Sequence, residues 1–234
     1  MPLPKLETQK FTCIVPSTND EIEYRPFLVK EEKILMMAQE SNDQRALMRV
    51  LKDVINACTF DKLEVSQLTM FDVEFIFLQL RAKSVGETAS LKFKCEECGE
   101  YTDIDINLLD VKVQYPTKEL EKNIKLSKNV GITLAPISID AVDNVDTENT
   151  EKAFTSGIAA VIDTVYDEDG VYKLDDFTSK EITEFIDSLN HQQLEKIQYF
   201  IENQPKLKHT VTWKCSACGH ENSITIEGLQ SFFT

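Results

Sequence analysis

The chain lacks any apolar run approaching the length of a membrane span, so no transmembrane helix is expected. Its first ten residues, Met1 to Lys10, are polar and contain proline. They lack the apolar stretch of a secretory signal, so the expected folding compartment is a reducing cytoplasm. Catalytic motifs are missing too. There is no G-x-S-x-G, no phosphate-binding glycine loop and no H-E-x-x-H. Of the three histidines, His191 and His209 have no cysteine or carboxylate partner at catalytic spacing, and His220 directly follows a cysteine pair. Positive charge is scarce. Against 40 acidic residues stand 25 Lys and Arg, a formal net charge of −15. A surface this acidic repels phosphate backbones and anionic lipids, and it suits either plain solubility or a specific protein partner.

What is present is the composition of an ordinary globular protein, 42% hydrophobic and 28% charged, in 234 residues. That is enough chain for one large domain or two small ones, with a core that needs no disulfides. The expected fold class is α+β: a helical bundle with short β-hairpins and a discontinuous four-cysteine zinc ribbon.

Phe11, Cys13 and Val15 alternate, as do Ile22 and Tyr24, around the polar Ser17 to Asp20. They predict an N-terminal hairpin in residues 1–29. The first part of the bundle is expected over 30–90. Its first helix spans about Lys30 to Gln39, with Ile34, Met37 and Ala38 on one face. A second runs from an Asn42 cap to about Asn56, with Leu47, Val50, Leu51 and Val54 as its buried stripe. A third opens on the capping box Thr69-x-x-Asp72 and, apolar on nearly every side, is expected at the centre. Residues 107–147 read as a β-hairpin region and an acidic loop. They include a strand over Val111 to Tyr115, a hairpin over Ile124 to Leu134 and a loop from Asp140 to Thr150. The second part of the bundle, 148–207, is expected to hold a helix from about Glu148 to Tyr166. Phe154, Ile158, Val161, Ile162 and Val165 would form its stripe. Two shorter helices follow, one capped by Thr178-x-x-Glu181 and one ended by Pro205. His191 and His209 are expected at the surface. Asp167-Glu168-Asp169-Gly170 resembles part of a calcium loop, but that alignment puts Val165 at the first ligand position, so a tight acidic turn is the better reading.

Four of the six cysteines fall in two C-x-x-C pairs. Cys13 and Cys58 stand alone in apolar contexts and read as small core residues. Phe93-Lys94-Cys95-Glu96-Glu97-Cys98-Gly99, with Ile104 and Ile106, lies in register with Trp213-Lys214-Cys215-Ser216-Ala217-Cys218-Gly219, with Ile224 and Ile226. Two thiolates three positions apart converge on one metal if the chain turns tightly between them. The glycine after the second cysteine can take the left-handed conformation that aims amides at the sulfurs. Two such knuckles supply the four soft ligands of a closed tetrahedral zinc site, with ribbon halves at 91–106 and 208–229. Cys95, Cys98, Cys215 and Cys218 are therefore the expected ligands of one structural Zn2+, and His220 is expected exposed or behind the ligands. A thioredoxin-like redox pair would sit at the start of a helix, and no helical pattern follows either knuckle. A pair of disulfides is disfavoured by the cytoplasmic context. Binding of nucleic acid is disfavoured because Lys92, Lys94, Lys214 and His220 are offset by Glu96, Glu97, Glu100 and Glu221. The alternative to a protein-binding scaffold is a zinc-ribbon regulator acting on nucleic acid or the transcription machinery. The aromatic tail, 230–234, carries Phe232 and Phe233 just after Leu229. These apolar residues are expected to be docked, either on the protein's own bundle or, as an anchor, on a partner.

The sequence also resembles a known family. The segments concerned are Arg25-Pro26-Phe27-Leu28 with Lys30-Glu31-Glu32-Lys33, the knuckle from Phe93 to Gly99, and Asp176-Phe177 leading to Glu181 and Phe185. The most telling is Pro205 to Thr210, then Trp213 to Gly219, then Ile226-Glu227-Gly228-Leu229 and Phe232-Phe233. Taken together they resemble the baseplate hub proteins of T-even-type contractile-tailed bacteriophages. The resemblance implies a structural or assembly role in the hub, with other baseplate proteins as partners. It implies no catalysis, small-molecule substrate, membrane or nucleic acid. It places the chain in the host cytoplasm during assembly and in the virion tail baseplate, and leaves open whether the chain stays in the mature particle.

Overall fold

The computed structural model describes residues 6–41, 43–143, 145 and 149–228. They fall into two compact units. The first comprises the residues up to Gln114 together with those from Lys206 on, and the second is Tyr115–Pro205. The helices expected to form one bundle are thus divided between two units. No helix among the described residues is long and apolar enough to cross a membrane.

The first unit opens on the expected hairpin, β1 (Phe11–Ile14) and β2 (Glu21–Tyr24), paired antiparallel with Phe11 opposite Tyr24. Its turn is anchored to the helices, because the Ser17 amide donates to Asp72 Oδ1 at 2.8 Å. Three helices follow: α1 (Val29–Glu40), α2 (Gln44–Cys58) and α3 (Met70–Ser84). Asp43 caps α2, with Asn42 outside the described residues, and Thr69 caps α3 through the predicted box. The α2 stripe is buried at Leu51 and Val54 and extends to Ile55 and Cys58. Helix α3 buries residues all round, among them Val73, Ile76, Leu78 and Leu80.

Helix α1 departs from expectation. Ala38 is buried, but Ile34 and Met37 are 50% and 70% exposed. The helix is held at its first turn instead. The Arg25 guanidinium donates to Glu31 Oε1 at 3.0 Å and to Cys58 Sγ at 3.6 Å, and Glu31 Oε2 accepts from the Leu28 amide at 2.7 Å. Burial pushes the Glu31 carboxyl up, and bonds from Arg25, Leu28 and Lys30 outweigh it, leaving the group below the ordinary carboxylate value.

The rest of the first unit is sheet. Strands β3 (Thr88–Lys94) and β4 (Tyr101–Asn107) form one hairpin. Strand β5 (Lys112–Gln114) pairs with a strand from the far end of the chain. The second unit begins after it. Strands β6 (Asn123–Lys125) and β7 (Gly131–Leu134) make the hairpin expected around Ser127. A short helix α4 (Ile139–Asp143) then replaces the start of the expected acidic loop. Ser138 Oγ accepts from the Ala141 amide at 3.1 Å, and Ile139 is fully buried, so this turn has both a cap and an anchor.

The helix expected over 148–166 is two elements. Helix α5 (Thr150–Ala159) is capped by Asn149, and strand β8 (Ile162–Tyr166) follows it. Val161, Ile162, Thr164 and Val165 are β-branched, which disfavours helix and suits a pleated sheet. Ile158 is buried on α5, whereas Phe154 is 47% exposed. Strand β8 pairs with β7 on one side and with β9 (Val171–Lys173) on the other, giving the order β6-β7-β8-β9. The turn between β8 and β9 is the tight acidic one, in which Asp167 Oδ1 accepts from the amides of Asp169 and Gly170. Helices α6 (Ser179–Asp187) and α7 (His191–Glu202) complete a separate core with Ile132, Leu134, Ile162, Ile186, Ile197 and Phe200. Because this sheet supplies its own apolar face, its helices need no share in the core around α3.

The chain returns to the first unit through β10 (Lys206–Lys214), and β11 (Glu221–Glu227) ends the described fold. Strand β10 lies between β5 and β11, with Gln114 opposite Lys206. His209, expected at the surface, lies inside this strand and is half-buried.

Two consequences follow for stability. Replacing Glu31 with Gln leaves the Arg25 charge without its buried partner, an expected loss of about 3–5 kcal/mol in denaturant titration. Since the folded Glu31 carboxyl lies below its unfolded value, its contribution is complete above about pH 4.3 and disappears as the pH falls through the folded value. Wild type therefore loses stability more steeply in acid than E31Q. In the second unit, a Cβ added at Gly131 would run into the Tyr166 ring and its Oη on the neighbouring strand. Gly131→Ala is expected to displace that ring at a cost of about 1–3 kcal/mol, read as a lower melting temperature.

Candidate metal centre

The site is assembled from two hairpins whose side chains alternate in the same way. On β3, Ala89, Leu91 and Phe93 are buried, and the next inward position is Cys95. On β10, Leu207, Val211 and Trp213 are buried, and the next inward position is Cys215. A period of two therefore carries the first cysteine of each knuckle to the inner face. The chain then turns by the same bonds in both. The amide of Cys95 donates to the carbonyl of Glu100 (2.8 Å) and that of Gly99 to Cys95 (3.0 Å). Likewise Cys215 donates to His220 (2.9 Å) and Gly219 to Cys215 (2.9 Å). Gly99 and Gly219 sit at φ +77° and +75°, a left-handed conformation costly for any residue with a Cβ.

These turns aim backbone N–H groups at sulfur. Amides of Cys98 and Glu97 donate to Cys95 and bring its thiol down to about 6. Amides of Cys218 and Ala217 likewise lower that of Cys215. The second cysteine of each knuckle moves the other way: against a backbone bond from Glu100 the neighbouring sulfurs push Cys98 up to about 12, and against one from His220 Cys218 is raised too, so each knuckle has one thiol favoured as the ligating thiolate.

The four sulfurs converge. Cys95, Cys98, Cys215 and Cys218 place their Sγ atoms within 4.8 Å of one another, and no other residue shares that cluster among the described residues. Two contacts join opposite knuckles: Cys95 to Cys218 at 3.7 Å and Cys98 to Cys215 at 3.6 Å. A disulfide needs about 2.05 Å. Sulfurs about 2.3 Å from one tetrahedral ion lie about 3.8 Å apart. The arrangement can therefore hold a soft divalent ion, and four sulfurs leave no position free for a substrate. Cys95 and Cys215 are buried while Cys98 and Cys218 are exposed, so the cluster lies at the protein surface. Neither knuckle begins a helix, as a redox C-x-x-C would; strands β4 and β11 follow instead.

Beneath the sulfurs the hairpins are joined by Phe93 and Trp213, whose ring centroids are 5.2 Å apart. A second join is Asn222, 4% exposed on β11. Its Oδ1 accepts from the Glu96 amide at 3.1 Å, and its Nδ2 donates to Cys95 Sγ at 3.6 Å and to the His220 carbonyl at 3.0 Å. Sequence reasoning missed this residue. The available signal was its register: Asn222 and Thr102 hold matching places in the two segments.

The remaining candidates do not join the site. The His220 side chain is exposed, and His191 is exposed beside Glu195 at 3.3 Å. Cys58 is core, as expected, and Cys13 is half-buried; burial raises their thiols to about 11 and 12. Leu229, Phe232 and Phe233 lie outside the described residues.

A family model described as T4 bacteriophage base plate protein matches residues 8–234. No curated protein and no solved structure matches the chain. The match runs through both knuckles and everything between them, and on that ground the chain belongs to the T4 bacteriophage base plate protein family.

Proposed function

We propose that this protein is a structural and assembly component of the phage baseplate hub, stabilised by one zinc ion on Cys95, Cys98, Cys215 and Cys218, and that it acts by binding other baseplate proteins. The observation that carries this reading is the convergence of four sulfurs, drawn from two distant segments, in a member of a baseplate family. Zinc at such a site supplies folding free energy rather than reactivity. The chain's own amides, from Glu97, Cys98, Ala217 and Cys218, offset the negative charge that four thiolates gather around a divalent ion. The net charge of −15 favours a protein partner over nucleic acid or an anionic membrane. The protein performs no catalysis and takes no small-molecule substrate. It folds in the host cytoplasm and ends in the tail baseplate. Leu229, Phe232 and Phe233 are the residues assigned to partner contact, as apolar anchors beyond the last strand.

Elemental analysis of protein purified without chelator is expected to give one zinc per chain, and its absence overturns the metal reading. Serine at any of the four ligand positions should release the ion and melt the ribbon, since structural zinc contributes on the order of 10 kcal/mol in small modules. Cys13→Ala should cost far less.

Deleting residues 230–234 tests the tail. If the rings are anchors, the truncated protein melts normally and fails to join its baseplate partners in co-purification. A truncated form that assembles fully refutes the anchor. One that has lost thermal stability assigns the rings to the protein's own surface.

A further inference from the structure

Asn222 is more than a buried polar residue on a strand. Its amide has two N–H donors and one carbonyl oxygen, and all are directed at the sulfur cluster or its turns. The bonds to Cys95 and Glu96 run from the second knuckle to the first, between residues 127 and 126 positions apart in the chain. The bond to the His220 carbonyl fixes the amide within its own knuckle. Opposite it on β10 stands Trp213, packed at a tilt against Phe93, so the amide is supported from the strand beside it. In the first segment the matching position is Thr102, whose hydroxyl is buried without a hydrogen-bond partner. The two halves of the ribbon are therefore unequal, and one side-chain amide ties them.

We propose that Asn222 is the positioning residue of the metal site: its N–H holds the Cys95 sulfur in ligating orientation while its carbonyl clamps the first knuckle to the second. The inference rests on the cluster being a zinc site, and it adds an outer hydrogen bond that sets affinity and sulfur donor strength. An N–H directed at a thiolate draws density from its lone pairs and fixes their direction. Without it, Cys95 is a stronger but less ordered donor, and the two knuckles lose a tie that exists before any ion arrives.

The test uses full-length protein, Co(II) as the spectroscopic probe, and the variants Asn222→Asp and Asn222→Ser. Both remove the amide N–H: aspartate keeps an acceptor for the Glu96 amide, and the serine hydroxyl ends one bond short of the position from which Nδ2 reaches sulfur. Chelator competition is expected to show about a 10–100-fold loss of Co(II) affinity in both. The sulfur-to-cobalt charge-transfer band is expected to move to longer wavelength, a change that looser packing alone would not produce. Unchanged affinity and band in both variants overturn the proposal, and so does weaker binding with an unmoved band. Variants that cannot fold with Co(II) present also overturn it, because a positioning amide sets affinity and not the fold. If wild type itself takes up no Co(II), the metal reading fails and this inference with it, an outcome distinct from normal loading in all three proteins.

Discussion

The pairing of β10 with β5 closes the chain on itself, and the sulfur cluster depends on that closure. Lys206 meets Gln114, Leu207 meets Val113, and from there β10 runs straight to Cys215. Register is the critical quantity. Leu207, Val211, Trp213 and Cys215 share the inward face, and a slip of one residue would turn all four outward and present Lys208, Thr210 and Lys214 to the core. The fully buried Leu207 makes such a slip expensive, since exposing it forfeits about 1.5–3 kcal/mol. The position of the second knuckle is thus set by ordinary apolar packing well before sulfur chemistry contributes. The same logic holds on β3, where Ala89, Leu91 and Phe93 lead to Cys95.

Charge then decides what the convergent sulfurs need. Glu96, Glu97 and Glu100 crowd the first knuckle with exposed carboxylates, in a chain already strongly acidic. Clustering thiolates there is unfavourable unless positive ends of dipoles point at them. The two glycine turns supply those dipoles from the backbone, at little expense because glycine tolerates the left-handed geometry. Only backbone groups and one amide side chain are used. No lysine or arginine is needed inside the site, and the surface keeps its acidity right up to the knuckles.

The cysteine pairs were legible because metal-site spacing is local. A C-x-x-C followed by glycine reads within five residues, and the second copy in register raised its weight. The capping boxes at Thr69 and Thr178 were legible for the same reason, each being a contact over three residues. What failed was non-local. Val161, Ile162 and Val165 fit a helical stripe continued from Ile158, and only the strands on either side of β8 show that they belong to a sheet. Ile34 and Met37 have the spacing of a buried face, yet α1 is held by the Arg25–Glu31 pair at its first turn. The division into two units was hidden because helix patterns do not state which core they join. Asn222 was hidden because its partners in the first knuckle, Cys95 and Glu96, lie more than a hundred residues away.

That separation also has a meaning in time. A ribosome delivers Cys95 and Cys98 first, and 117 further positions separate Cys98 from Cys215. At about 5–20 residues per second, the first knuckle waits roughly 6 to 23 s for its other half. During that interval it offers two thiols, half of a tetrahedral set, and its Trp213 and Asn222 partners have not yet been made. Tyr115 to Pro205, a unit with its own core, can fold meanwhile. The sulfur set is therefore completed only after the whole second unit has been made, and any early mismatch at the first knuckle is resolved only when β10 and β11 emerge.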